Sequence, residues 1–270
     1  MTVEARACVN GKVLPLAEAC LPVTDEGVAR GYGAFETVGV WDGRPFRLAD
    51  HLERLAASLE LILLPAPDRA LLEEEVGRVL EGVTGDAALR VYVTGSGTRI
   101  VTVAPPPERL DATHLVPQMA PWIRPRVTYR PSGAKTMSYL PNMVASRAAE
   151  AAGGDDALLY SLEGIVLEGP TFAVYWAVDG VIHSPALELG VIDSISRRTV
   201  LDVARSQGYR VVEGAYTLDD LAAADEVMLS SAVRDVIAVR RVGDVTYPGP
   251  TPVRDELSAA LWAARRGQRR

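Results

Sequence analysis

Only two lysines occur in the chain, Lys12 and Lys135, although arginine is plentiful. A guanidinium stays protonated near neutrality and forms no imine, so a lysine retained in such a chain marks a place where amine chemistry is available. Lys12 follows Asn10-Gly11, a hairpin signal between Ala7-Cys8-Val9 and Val13-Leu14-Pro15, and a solvated turn accounts for it. Lys135 lies in Gly133-Ala134-Lys135-Thr136-Met137-Ser138-Tyr139-Leu140-Pro141-Asn142, between an expected strand and an expected helix, where a short connection can aim side chains into a cleft. Glu168 closes the apolar run Ile165-Val166-Leu167, where a carboxylate is otherwise expensive to bury. Asp193-Ser194-Ile195-Ser196 opens a helix, and backbone amides at a helix N-terminus form a phosphate site. An amine for an imine, a carboxylate for a pyridinium and an anion cradle are what pyridoxal 5'-phosphate asks of a protein. Singly these residues have plainer readings: a surface lysine, a strand-end charge facing water, a helix start.

The elements that must position them follow from periodicity and punctuation. A hairpin is expected over residues 5–16, then a strand over Phe35 to Trp41 turning at Asp42-Gly43. From Asp50, taken as N-cap, Leu52, Leu55, Leu59 and Ile62 recur at spacings of three and four and predict an amphipathic helix with Arg54 beside the stripe. A second helix is expected over Arg69 to Leu80, and Leu89 to Val93 pairs with Ile100 to Val103 across Gly95-Ser96-Gly97. Prolines at 105–107, 117, 121 and 125 place a domain connection at 116–125, which separates a small domain, 1–115, from a larger one, 126–270. The second part reads as a strand at Val127 to Tyr129, a helix from about Asn142 to Ala152, and strands at Ala157 to Tyr160, Ile165 to Glu168 and Ala173 to Val178. A helix capped by Ser194 or Asp193 stops at Gly208. A short strand, Tyr209 to Val212, a helical segment, Leu218 to Ala223, strands at Glu226 to Leu229 and Val236 to Val242, and a C-terminal helix complete an α/β chain of α+β pattern.

The order and spacing of five blocks resemble the class IV aminotransferases of fold type IV, from about Thr24 to Val242. The blocks are Asp25-Glu26-Gly27 with Arg30-Gly31-Tyr32-Gly33-Ala34-Phe35-Glu36-Thr37, then His51-Leu52-Glu53-Arg54-Leu55-Ala56-Ala57-Ser58, the segment around Lys135, the one around Glu168, and Ser194 to Arg197 followed by Ser230-Ser231. The resemblance implies a small N-terminal and a larger C-terminal α/β domain with the cofactor between them, and a homodimer whose subunits help close each other's sites. It makes Lys135 the Schiff-base lysine and proton shuttle, Glu168 the partner of the pyridine nitrogen and Tyr139 the donor to the phenolic oxygen. Arg54, Ser231 and the amides of Ile195 and Ser196 would hold the phosphate. Tyr32 and Phe35 are candidate substrate-facing aromatics, with core packing as the alternative.

Departures from the family pattern bear on substrate. Thr94-Gly95-Ser96 stands where D-amino-acid transaminases and aminodeoxychorismate lyases often carry Thr-Arg-Gly, so that carboxylate-binding arginine is missing. Arg90 on the same strand could replace it: strand alternation sends Arg90 and Tyr92 one way and Leu89, Val91 and Val93 the other, although a solvated arginine is the plainer reading. The usual Gly-Ile-Thr-Arg turn reads Ser194-Ile195-Ser196-Arg197, and Thr171-Phe172-Ala173-Val174 lacks an asparagine common after the glutamate. The implied activity is amino transfer between an amino acid, of branched-chain or D type, or an amine and a 2-oxo acid. Release of pyruvate by a lyase of the aminodeoxychorismate type is the alternative, and a degenerate cofactor-binding protein a third reading.

Composition bounds the rest. With 270 residues, 48% hydrophobic, the chain can fill a real core, and the formal charge of −7, spread along its length, leaves no footprint for nucleic acid or an anionic membrane. Leu61 to Leu64 ends at Pro65, far short of the roughly 20 apolar residues a spanning helix needs. Two cysteines and no secretory-type N-terminus suggest the cytoplasm, and three scattered histidines give no reason to propose a metal.

Overall fold

A computed structural model describes residues 3–108 and 111–267, which form two compact units. The first comprises residues 1–108 with 134–139, apart from undescribed termini, so the Lys135 segment clusters with the N-terminal part of the chain.

Six antiparallel strands build the first unit: β1 (Arg6–Val9), β2 (Lys12–Pro15), β3 (Gly33–Trp41), β4 (Arg44–Pro45), β5 (Ala87–Thr94) and β6 (Arg99–Ala104), in the order β2-β1-β6-β5-β3-β4. The hairpin turn has Asn10 and Gly11 at φ 47° and 86°, the left-handed pair that Asn-Gly adopts readily. Three helices accompany the sheet: α1 (Glu26–Arg30), α2 (Leu48–Leu61) and α3 (Arg69–Leu80). Cys8, Val101 and Val91 form one cross-strand row, and they bury against Leu52, Leu55 and Leu59 of α2 and Leu72, Val76 and Val79 of α3. The next member of that row, opposite Val91, is Glu36, a carboxylate at an apolar position. Asp50 does not cap α2 as expected. The chain enters through Arg47 in the left-handed conformation, and Asp50 sits in the first turn paired with Arg47 at 2.8 Å.

The second unit, residues 109–133 with 140–267, holds a mixed sheet. Its strands are β7 (Ala112–Met119), β8 (Asp156–Tyr160), β9 (Ala173–Val178), β10 (Val181–Pro185), β11 (Arg210–Gly214), β12 (Glu226–Ser230), β13 (Ile237–Val242) and β14 (Val245–Thr246). The order is β11-β10-β9-β12-β13-β7-β8, with β14 on β13. The helices are α4 (Leu140–Ala151), α5 (Ile195–Ser206), α6 (Leu218–Ala222) and α7 (Pro252–Gly267). Both faces of β9 are covered. Tyr175 and Ala177 meet Val200 and Leu201 of α5 and Leu257 and Leu261 of α7, while Val174 and Trp176 meet Leu221 and Tyr247. Among the described residues no helix is long and apolar enough to cross a membrane.

Residues 112–119 are thus a strand, although Pro117 argues for a connection there. The strand accepts the proline because β13 pairs only with residues up to Leu115, and Pro117 is paired with β8 alone, so no partner requires its missing N–H. Val127 to Tyr129 is a turn and not a strand: the Thr128 amide donates to Pro125 O at 2.9 Å. Ile165 to Glu168 is held by isolated bridges, Tyr160 to Val166 and Ile165 to Thr217, without becoming a regular strand.

Candidate functional site

Lys135 is held in the first unit by its backbone. The Phe35 amide donates to Lys135 O at 3.0 Å and the Met137 amide to Gly33 O at 2.9 Å, so 134–137 adds a one-bridge extension to the edge of β3 left open beyond β4. On the other side the Lys135 amide donates to Ser58 Oγ of α2 at 3.1 Å. Gly33 permits this approach: a Cβ there would lie 2.5 Å from Val93 O and 2.6 Å from the Met137 sulfur. The Lys135 ammonium nitrogen lies 4.4 Å from the Phe35 ring centroid and 5.6 Å from that of Tyr139.

The sheet face that carries Phe35 is the one α2 and α3 leave uncovered. Cross-strand register puts Phe35 beside Tyr92 and Thr37 beside Arg90. Phe35 stacks on Tyr92 with centroids 5.6 Å apart and meets the edge of Tyr139 at 5.3 Å. Burial raises the Tyr92 phenol above its ordinary pKa, while the nearby Arg90 charge pulls it down. Arg90 is half-buried, on the side expected from alternation, while Leu89, Val91 and Val93 lie in the core. Among the described residues no carboxylate is paired with Arg90. Tyr32 differs from Phe35: its hydroxyl donates to Ile62 O at 2.8 Å, at the end of α2, which is a satisfied packing role.

Behind the same sheet, Arg54 meets Glu36. Arg54 Nε donates to Glu36 Oε1 at 2.7 Å and Nη2 to Oε2 at 2.6 Å, and His51 Nδ1 reaches Oε2 at 2.7 Å. Burial would raise the Glu36 carboxyl, but the Arg54 guanidinium and the hydrogen bonds from His51 and Arg54 outweigh it and hold the group at about 2. His51 is pulled below its ordinary value by burial, against the opposing effect of Glu36. The sequence carries a signal for Glu36 and His51 beyond their places in the first two blocks. Glu36 alternates with Ala34 and Val38 on the core side of β3, and His51, Arg54 and Ser58 recur on α2 at spacings of three and four.

The remaining candidates belong to the second unit. Glu168 is half-buried, and both its carboxylate oxygens accept from the Ile192 amide at 3.2 Å. The following Gly169 cannot carry a side chain, since a Cβ would fall 2.1 Å from the Phe172 ring. Two residues beyond Ile192, Ser194 caps α5 by accepting from the Arg197 amide at 3.4 Å. That bond leaves the amides of Ile195 and Ser196, first in the helix, outside the cap, where the helix dipole favours an anion. Arg197 is buried and engaged with Ser184 Oγ, Pro185 O and Glu213. Ser231 is buried at the end of β12, and its carbonyl accepts from Arg265 of α7 at 3.1 Å. Next to it, Ser230 Oγ lies 3.0 Å from the Tyr175 hydroxyl.

A family model described as amino-transferase class IV matches residues 33–242. A D-alanine aminotransferase of Bacillus licheniformis is 27% identical, over 93% of this chain and 94% of that one. A Mycobacterium tuberculosis protein, named a bifunctional aminodeoxychorismate lyase and D-amino acid transaminase, is 28% identical, over 95% and 97%. Among solved structures, a fold IV transaminase of Curtobacterium pusillum superposes with a TM-score of 0.91 at 27% identity, covering 99% of this chain and all of its own.

Proposed function

The chain belongs to the class IV aminotransferases, pyridoxal-phosphate enzymes, and from that premise we propose that it moves an amino group between an amino acid or amine and a 2-oxo acid. The observation that carries the reading is Lys135, fixed by backbone hydrogen bonds on both sides with its amine over Phe35 and Tyr139. The donor set suits a phosphorylated pyridine aldehyde: a primary amine, a carboxylate, a guanidinium, a hydroxyl and the open amides of a helix N-terminus. When bound, pyridoxal phosphate supplies an aldehyde that condenses with amines and a ring that accepts electrons from the substrate's α-carbon.

The protein's own part is then defined by residue. Lys135 would hold the cofactor through its Nζ, and the same amine, once free, would carry the proton from the substrate's α-carbon to the cofactor. Glu168 would keep a proton on the ring nitrogen, Tyr139 would donate to the phenolic oxygen, and Arg54, Ser231 and the amides of Ile195 and Ser196 would hold the phosphate. Phe35 and Arg90 face the substrate, whose α-carboxylate Arg90 takes. Amino transfer is favoured over pyruvate-releasing cleavage because a carboxylate-binding arginine suffices for the former, whereas the latter needs recognition of a ring-bearing substrate.

Single-turnover spectra against L- and D-amino acids and simple amines test the assignment, with accumulation of pyridoxamine phosphate as the expected result. Arg90→Ala should raise KM for amino and oxo acids by about tenfold or more, the worth of a charge-assisted contact, and spare simple amines. Stoichiometric pyruvate from aminodeoxychorismate, with no transfer to any oxo acid, would replace the transaminase reading with the lyase.

The reading extends to a cytoplasmic homodimer. Cys8 and Cys20 are both free thiols, as suits a reducing compartment. Leu140, Met143 and Val144 of α4 are exposed at spacings of three and four, an apolar stripe of the kind that a second subunit covers. Sedimentation velocity at micromolar concentration should return twice the chain mass; a monomer that is fully active would refute the dimer.

A further inference from the structure

Three ionisable side chains lie together behind the sheet of the first unit, and the proton chemistry above uses neither Glu36 nor His51. Glu36 is 0% exposed, His51 2% and Arg54 9%. Such a cluster is a poor way to gain stability, since the desolvation of a buried ion pair consumes most of its attraction and apolar residues of similar volume do as well or better. The row Cys8, Val101, Val91 could end in another aliphatic residue at position 36. What an aliphatic residue could not do is fix a direction.

The carboxylate takes one edge of the guanidinium, Nε through Oε1 and Nη2 through Oε2. A planar fork held at two points has its plane set, and with it the direction of its other N–H bonds. Oε2 also meets His51 Nδ1, and because an ionised carboxylate can only accept, Nδ1 carries the hydrogen and donates it. Arg54 and His51 come from the same stripe of α2, and one turn on from Arg54, Ser58 accepts from the Lys135 amide. One helix face therefore fixes Arg54 and, through the backbone, the lysine.

We propose that Glu36, steadied by His51, is the positioning residue that aims Arg54 at the cofactor's phosphate; this rests on the reading of Arg54 as a phosphate ligand. Glu36 touches neither phosphate nor substrate in this arrangement. Its negative charge weakens the attraction of Arg54 for an anion, so its contribution is orientation, and a variant that keeps the charge while moving the carboxylate isolates that contribution.

The experiment compares the dissociation constants of pyridoxal phosphate and pyridoxal, which lacks the phosphate, by absorbance titration of the cofactor-free protein. The ratio of the pyridoxal constant to the pyridoxal phosphate constant is the gain in affinity that the phosphate brings, and it reads the phosphate contacts alone. Glu36→Asp keeps the charge and retracts the carboxylate by one methylene, and its ratio should fall about tenfold with pyridoxal affinity unchanged, the low end of a charge-assisted contact. His51→Leu, of similar bulk without the donor, should lower the ratio in the same direction, and His51→Asn, whose amide nitrogen stands near the place of Nδ1, should restore it. If Glu36→Asp does not fold, as judged by circular dichroism, the two His51 variants decide. An unchanged or increased ratio in folded variants overturns the inference and leaves Glu36 a charge compensator only. A wild-type protein that binds both ligands equally would instead sink the assignment of Arg54 itself.

Discussion

Lys135→Arg is expected to abolish covalent attachment of pyridoxal phosphate and to lower amino transfer by about 10⁴-fold, the upper range for loss of a positioned proton-transfer group, with the loss of a covalent anchor added to it. The substitution keeps the positive charge that sits over Phe35, at 4.4 Å from the ring, and it leaves the backbone bonds to Phe35 and Ser58 intact. What it removes is an amine able to lose its proton. The chain supplies its own control. Lys12, the only other lysine, is exposed beside the Asn10-Gly11 turn, and Lys12→Arg should leave turnover unchanged. Borohydride reduction of the wild type should attach the cofactor to the peptide containing Lys135 and to no other. Reducible attachment at ordinary stoichiometry in Lys135→Arg would show that the amine assignment is wrong.

Composition singles out that lysine, and most elements were legible in the sequence because their signals are local. Asn10-Gly11 and Asp42-Gly43 both turn through positive φ, and Ser194 caps α5. Errors came where distant chain segments decide. Pro117 reads as a break until β13 is seen to end its pairing at Leu115. Asp50 reads as a cap until Arg47 is seen to start the helix. The one-bridge pairing of the Lys135 segment with β3 joins residues about a hundred positions apart through two hydrogen bonds, and no periodicity records it. The cluster of Glu36, His51 and Arg54 was half legible. A carboxylate in the core phase of a strand and a histidine three residues before an arginine on an apolar helix stripe are each common, and only their meeting at 2.6–2.7 Å gives them meaning.

Glu168→Gln should lower turnover by roughly 10²–10⁴-fold while pyridoxal phosphate remains bound at one per chain. The structure makes this a clean change. The Ile192 amide is 3.2 Å from both carboxylate oxygens, and the glutamine carbonyl can accept the same hydrogen, so the side chain keeps its place and its length. Only the negative charge goes, and with it the preference for a proton on the pyridine nitrogen, because a neutral amide does not stabilise a neighbouring cation as a carboxylate does. An unprotonated ring draws less charge from the substrate's α-carbon, so the step affected is removal of the α-proton, and the binding of amino acid should change little. Exchange of the α-hydrogen with deuterated solvent, followed by NMR during a single half-reaction, reads that step directly. Loss of cofactor would give Glu168 a retention role instead, and exchange at the wild-type rate in the cofactor-loaded variant would remove it from the chemistry.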